Sequence, residues 1–255
     1  MATKNTPATK GSTALVSWKD RLAAKAQEAK EQVSSIASGQ FIGTRTGQFT
    51  WNGNPVRDNK LQVVVLDSVF ENAYYPGKFD ADNPQPPVCF AFGRDAKSMT
   101  PHADSAQPQS ETCAKCPMNE FESADTGKGK GKACKNIVRL GMVAAMPLSK
   151  EGLEKGEIAY LKIPVTSVKS WGAYVRTLDA LHKLPPLGVV TEIGSVPDPK
   201  SQFKITFRAE SPVPDELMES VLNREEEVRD AIEFPYAPPS EEEPKAKKPT
   251  AKRKY

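Results

Sequence analysis

Cys113 and Cys116 form a C-x2-C knuckle in TCAKCPMNEFESADTGKGKGKACKN. Cys134 follows after seventeen residues, and Cys89 lies twenty-three residues upstream in PPVCFAFG. A C-x2-C turn lets two thiolates bind one tetrahedral metal, and a later pair completes the shell from elsewhere in the fold. Zinc is the natural occupant, one per chain, in a closed and therefore structural site. Cys89 lies in an apolar, strand-like run that also suits a core thiol. In that case His102 is the substitute and the site becomes Cys3His. An iron–sulfur cluster uses the same four thiolates, so the spacing leaves that choice open. Disulfides suit a secreted chain, but MATKNTPATKGSTALV has no apolar core of signal-peptide length, and a cytoplasmic setting is expected. A redox C-x2-C usually opens a helix in a βαβ unit, whereas Pro117 and the Gly-rich stretch after it read as loop.

Lys128, Lys130, Lys132, Lys135 and Arg139 lie in or beside the segment closed by such a metal, which points to an anionic ligand. Aromatics and cations also fall together further upstream. Phe41, Arg45, Phe49, Trp51, Arg57 and Lys60 share one region, and Tyr74, Tyr75, Lys78 and Phe79 crowd the loop before Cys89. Unpaired bases stack on aromatic rings at about 1–3 kcal/mol each with little sequence preference, and Lys and Arg add a salt-dependent phosphate term. Phe49, Phe90, Phe92, Phe203 and Phe207 are expected in the core. The candidate nucleic-acid contacts are Arg45, Trp51, Arg57, Lys60, Tyr74, Tyr75, Lys78, Lys128, Lys130, Lys132 and Lys135.

The elements that must position these groups can be read from pattern. The chain has 255 residues with 38% hydrophobic content, enough for a real core. No run approaches the ~20 apolar residues of a membrane span. With 35 Lys+Arg against 32 Asp+Glu the net charge is +3, so bulk charge alone does not declare a nucleic-acid binder. Residues 1–13 are small and polar, and Leu15, Trp18, Leu22, Ala26, Ala29, Val33 and Ile36 predict a helix over 14–37. FIGTRTGQFTW and KLQVVVLDSVFENAYY predict two long strands around Asn52-Gly53, and QPPVCFAFG predicts another. NIVRLGMVAAM and EIAYLKIP predict a strand pair. Val165, Val168, Trp171, Val175, Leu178 and Leu181 mark one face of a helix ended by Pro185-Pro186. GVVTEIGSV and SQFKITFRAE predict two more strands, and a charged helix follows over 214–232. The remaining tail is too rich in Pro and charge to fold alone.

Short strands interrupted by one helix and one metal-stapled insertion predict a mainly β, α+β domain of the oligonucleotide/oligosaccharide-binding (OB) barrel kind, with flanking helices and charged tails. The expected layout is an arm and helix over 1–39, an OB-like domain over 40–210 with its zinc loop at 89–135, a charged helix over 211–236 and a tail over 237–255. Cys89 in a strand, C-A-K-C-P, G-K-G-K-A-C-K-N and the charged C-terminal extension together resemble phage-type, zinc-containing single-stranded DNA-binding proteins with an OB-fold. The resemblance spans roughly residues 40–210 in layout and is specific in the cysteine region. It implies sequence-tolerant coating of single-stranded DNA in replication, recombination or repair, in the host cytoplasm if phage-encoded. It further implies a structural metal, replication or recombination proteins as partners, and self-association along DNA. Such proteins commonly end in an acidic tail, whereas here Glu241, Glu242 and Glu243 precede the basic KAKKPTAKRKY.

Catalysis is not expected. The chain has two histidines, and His182 falls late in an amphipathic helix beside Lys183, where a solvated position is the default. It carries no G-x-S-x-G, Walker A or H-E-x-x-H motif. The alternatives are non-enzymatic: a zinc-stabilised transcription or recombination accessory factor that binds a protein partner, or a virion or assembly protein.

Overall fold

The computed structural model describes Arg21, Leu22 and Lys25 and residues 41–77, 85–124 and 131–236. Contacts divide the chain into Met1–Gly39 and Gln40–Tyr255. In the first unit, Arg21, Leu22 and Lys25 are helical and exposed, and the rest of the helix expected over 14–37 lies outside the described residues. Among the described residues no helix is long and apolar enough to cross a membrane.

The second unit is built on a six-stranded antiparallel sheet. A short hairpin pairs β1 (Thr50–Trp51) with β2 (Asn54–Pro55), and Asn52 and Gly53 take the positive φ its two-residue turn requires. β3 (Lys60–Tyr74) is the longest strand and the centre of the sheet. β5 (Lys135–Ala144) flanks most of its length. On its other side β7 (Val189–Asp198) takes the first residues and β4 (Cys89–Gly93) the last. β6 (Ile158–Ile163) lies outside β5, and β8 (Gln202–Pro212) outside β7. The resulting order is β6-β5-β3-β7-β8. Apart from β4, which pairs only with the end of β3, the strands β3, β5 and β6 form an antiparallel run, and a long connection then returns β7 beside β3, the strand order of a Greek key.

Both faces of this sheet are covered, which is why β3 reads as a nearly continuous apolar run. Leu61, Val63 and Val65 point to one face with Leu140, Met142, Leu161 and Ile193. Trp171, Tyr174 and Leu178 of α2 (Val165–His182) cover that face. Val64, Leu66 and Val69 point to the other face. There they meet Leu153 of α1 (Lys150–Lys155) and Val221 and Val228 of α3 (Asp215–Ala231). An irregularity between Val65 and Asp67 changes the alternation along β3, so that Val69 faces the α3 side. Gly141 lets α3 approach, since a Cβ there would run into Val228.

Ser167, buried in the first turns of α2, accepts a hydrogen bond from the Ile205 N–H of β8 at 2.9 Å. Ser167→Ala is expected to leave that buried donor unpaired and lower the unfolding free energy by about 1–3 kcal/mol, measured by urea denaturation.

The mainly β, α+β class is as expected, but the described residues form an open sheet between helices, with no closed barrel. FIGTRTGQFTW is not a long strand. Thr46 and Gly47 both have positive φ, which breaks the extended run and leaves two isolated bridges, Phe41 with Tyr160 and Gly43 with Thr50, beside the short β1. α2 packs with most of the expected face: Trp171 and Leu178 are buried and Val168 and Val175 pack against the core, with Tyr174 added to that face, whereas Val165 and Leu181, at the helix ends, are exposed. Phe49 and Phe90 are buried, and Phe92, Phe203 and Phe207 pack against the core as expected.

Candidate metal centre and nucleic-acid interface

The four cysteines reach one place from three parts of the chain. Cys89 opens β4, opposite Tyr74 of β3. Cys113 begins one 3-10 turn, Cys113–Lys115, and Cys116 directly precedes the next, Pro117–Asn119. Cys134 stands immediately before β5, its N–H donating to the Met118 carbonyl at 2.7 Å. All four line a single pocket, with Asn72, Tyr74, Phe90 and Met118 among the other walls. The knuckle is fixed from below: Cys113 N–H donates to Met99 O, and Asn119 donates to the carbonyls of both Cys116 and Cys113.

Burial pushes the Cys134 thiol up to about 12, and the neighbouring Cys113, Cys116 and Cys89 push it the same way. Burial also raises Cys113, against a hydrogen bond with Asn72. The donor set suits zinc, because a cation relieves the mutual repulsion of four sulfurs and deprotonates the thiols it binds. Among the described residues no three His, Cys, Asp or Glu side chains stand in the geometry of a finished metal site, so what the fold provides is convergence on one pocket. His102 is not part of that wall. Its ring stacks on Phe90 with centroids 5.0 Å apart, and its Nδ1 accepts the Asp104 N–H at 3.1 Å.

The expected nucleic-acid contacts separate into two groups. Arg45 and Arg57 are exposed on the turns flanking the β1–β2 hairpin, Arg57 at 95% with Asp58 as its ion-pair partner. Trp51 is partly buried and packs against the core, so it is not a free platform. Lys60 is also committed, to Glu192 at 3.1 Å, a carboxylate shared with Arg208. At the other end of β3, Tyr74 lines the cysteine pocket, while Tyr75 is 39% exposed. Lys135 opens β5 opposite Ala73 and is exposed. Lys132 donates to Asn119 Oδ1 at 3.3 Å. Lys78, Lys128 and Lys130 lie outside the described residues.

Arg139 is not the loop cation its position in sequence suggested. It is 1% exposed and paired through Nε to Glu71 Oε2 at 2.7 Å, with Glu71 0% exposed. Lys162 reaches the other carboxylate oxygen at 3.0 Å, and the Tyr236 hydroxyl donates to that same oxygen. The Arg139 guanidinium lies over the Phe92 and Phe234 rings and donates to the Ile232 and Phe234 carbonyls. Residues 232–236, just beyond α3, are thereby fastened to the sheet. Sequence pattern gave no warning of this cluster, since a charge within a strand reads by default as a solvent-facing position.

Comparison with models of protein families, with curated proteins and with solved structures finds no match to this chain, so the reading of the site rests on its own residues.

Proposed function

We propose that this chain is a sequence-tolerant single-stranded DNA-binding protein that coats and protects single strands in replication, recombination or repair. One structural zinc is held by Cys89, Cys113, Cys116 and Cys134. The observation that carries the reading is the convergence of these four cysteines on one pocket at the end of β3, with Tyr74 in its wall. Tyr75 and the cations Lys132 and Lys135 adjoin the same end of the sheet. Strand order supports an OB-type domain. Numbered β3, β5, β6, β7 and β8 in turn, the strands lie in the order third, second, first, fourth, fifth, with α2 in the long connection. An OB-fold is a partly open, five-stranded Greek-key barrel of this sort. The role is one of binding and not of catalysis, with replication or recombination proteins and further copies on the same strand as partners.

Titration with polythymidine at several salt concentrations, alongside a metal assay, tests the reading. The expected result is tight, largely sequence-independent binding that salt weakens steeply. Tyr74→Ala with Tyr75→Ala should weaken binding at an unchanged salt slope, because stacking releases no counterions. Replacing Lys128, Lys130 and Lys132 by Gln should flatten the slope, by about 0.7 for each lost phosphate contact. Absence of binding at low salt would remove the proposal.

A further inference from the structure

Phe121 is 74% exposed, which is costly for a phenylalanine unless something is to cover it. Single exposed apolar residues are common on protein surfaces, so exposure alone carries no function. What sets Phe121 apart is its support. The Lys132 ammonium lies 5.2 Å from the ring centroid, within cation–π range, and the same ammonium is tethered to Asn119 Oδ1 at 3.3 Å. Asn119 in turn donates to the carbonyls of Cys113 and Cys116. The turn that carries Phe121 is held at both ends: Ser123 Oγ donates to Met118 O at 3.0 Å and accepts from Ala133 N at 2.9 Å. Glu122 takes a φ of 72° in that turn. The ring is therefore presented to solvent on the cysteine loop, with the Lys132 ammonium over it.

We propose that Phe121 and Lys132 form a base-stacking platform carried on the cysteine loop. The exposed ring takes one unpaired nucleobase, and the Lys132 ammonium meets the neighbouring phosphate. Glu120 and Glu122 flank the ring, so Lys132 is the group there that attracts a phosphate. The inference rests on the single-stranded DNA reading above and adds a contact outside the tyrosine pair.

Phe121→Ala and Phe121→Trp are to be compared with the parent, using oligothymidine and an abasic oligomer of equal length. Phe121→Ala should weaken oligothymidine binding about five- to a hundredfold, with an unchanged salt slope. Phe121→Trp should bind like the parent and show quenching beyond the parent's with oligothymidine, and none with the abasic oligomer at equal occupancy. Lys132→Gln should lower the slope by about 0.7. Unchanged affinity of Phe121→Ala, or equal quenching by both oligomers, overturns the platform while leaving the binding function standing. A parent protein that binds neither oligomer at low salt overturns both. Because Phe121 is exposed, melting temperature and metal content should match the parent in both variants, and a change in either would show that the ring serves packing instead.

Discussion

Glu71→Gln is expected to destabilise the protein by about 3–5 kcal/mol, a large fraction of the stability of an ordinary domain. The carboxylate is fully buried and answers two cations, Arg139 at 2.7 Å and Lys162 at 3.0 Å. Removing its charge leaves both cations uncompensated among Phe41, Phe92, Phe234 and Tyr236, and cation–π attraction offsets only part of that cost. Urea unfolding gives the difference. Ending the chain after Tyr236 should cost almost nothing, because residues 237–255 lack the apolar content to pack. Ending it after Ala231 should unfold much of the α3 side, because Ile232 is buried and Arg139 donates to the Ile232 and Phe234 carbonyls.

The pH dependence of the parent follows from the same cluster. Burial alone would raise the Glu71 carboxyl, but Arg139 and Lys162, with hydrogen bonds from Arg139 and Tyr236, hold it below the ordinary carboxylate range. Its contribution is therefore present above that range and lost as pH falls through the lowered value. Burial and the adjacent Glu71 charge raise the Tyr236 phenol. The stability it contributes is present below the ordinary tyrosine range and is lost as pH rises beyond it. Glu71→Gln should flatten the acid limb, and Tyr236→Phe the alkaline limb. An acid limb unchanged by Glu71→Gln would mean that the charge cluster does not govern stability.

What was legible in the sequence was local. The C-x2-C spacing and the punctuation of strands by Gly and Pro are contained within short windows, and the apolar runs of β5 and β6 are read in the same way. Arg139 and Glu71 lie 68 residues apart, and their meeting depends on the register that sets Val69 against Arg139 and Glu71 against Ile137. Register is fixed by packing of whole faces and has no signature in either segment alone. The burial of Tyr174 on α2 has a similar origin. Tyr174 is buried because its hydroxyl finds Thr191 at 2.6 Å, a partner on β7 that helical periodicity cannot reveal. By sequence Cys89 was the expected ligand and His102 its substitute. Tertiary structure separates them, putting Cys89 on the pocket wall opposite Tyr74 and His102 against Phe90.

Removal of the metal should have a still larger effect, confined to one region. The purified protein is expected to hold about one zinc per chain, and Cys116→Ser to release it. Free energy of binding at a structural zinc site is folding free energy, of order 10 kcal/mol at neutral pH. Between β4 and β5 the described chain lacks a large apolar core of its own: it is held by the small cluster of Ala91, Met99 and Cys113, the Arg94–Asp67 ion pair, the Ser105 and His102 contacts with Phe90, the Gln107 N–H bond to Val88 O, and turn hydrogen bonds. The two large apolar clusters on the faces of the sheet use other residues and do not depend on the cysteines. Strong chelation should therefore open residues 94–134 to protease while the far-ultraviolet circular dichroism of the sheet changes little. Tyr74 and Asn72 lie in β3 and line the pocket, so the end of that strand should loosen with it. Single-stranded DNA binding should fall in parallel, because Phe121 and Lys132 are positioned through the knuckle. A metal-free protein with the same cleavage pattern and the same affinity would show that the four cysteines are core thiols, and the zinc reading would then fail.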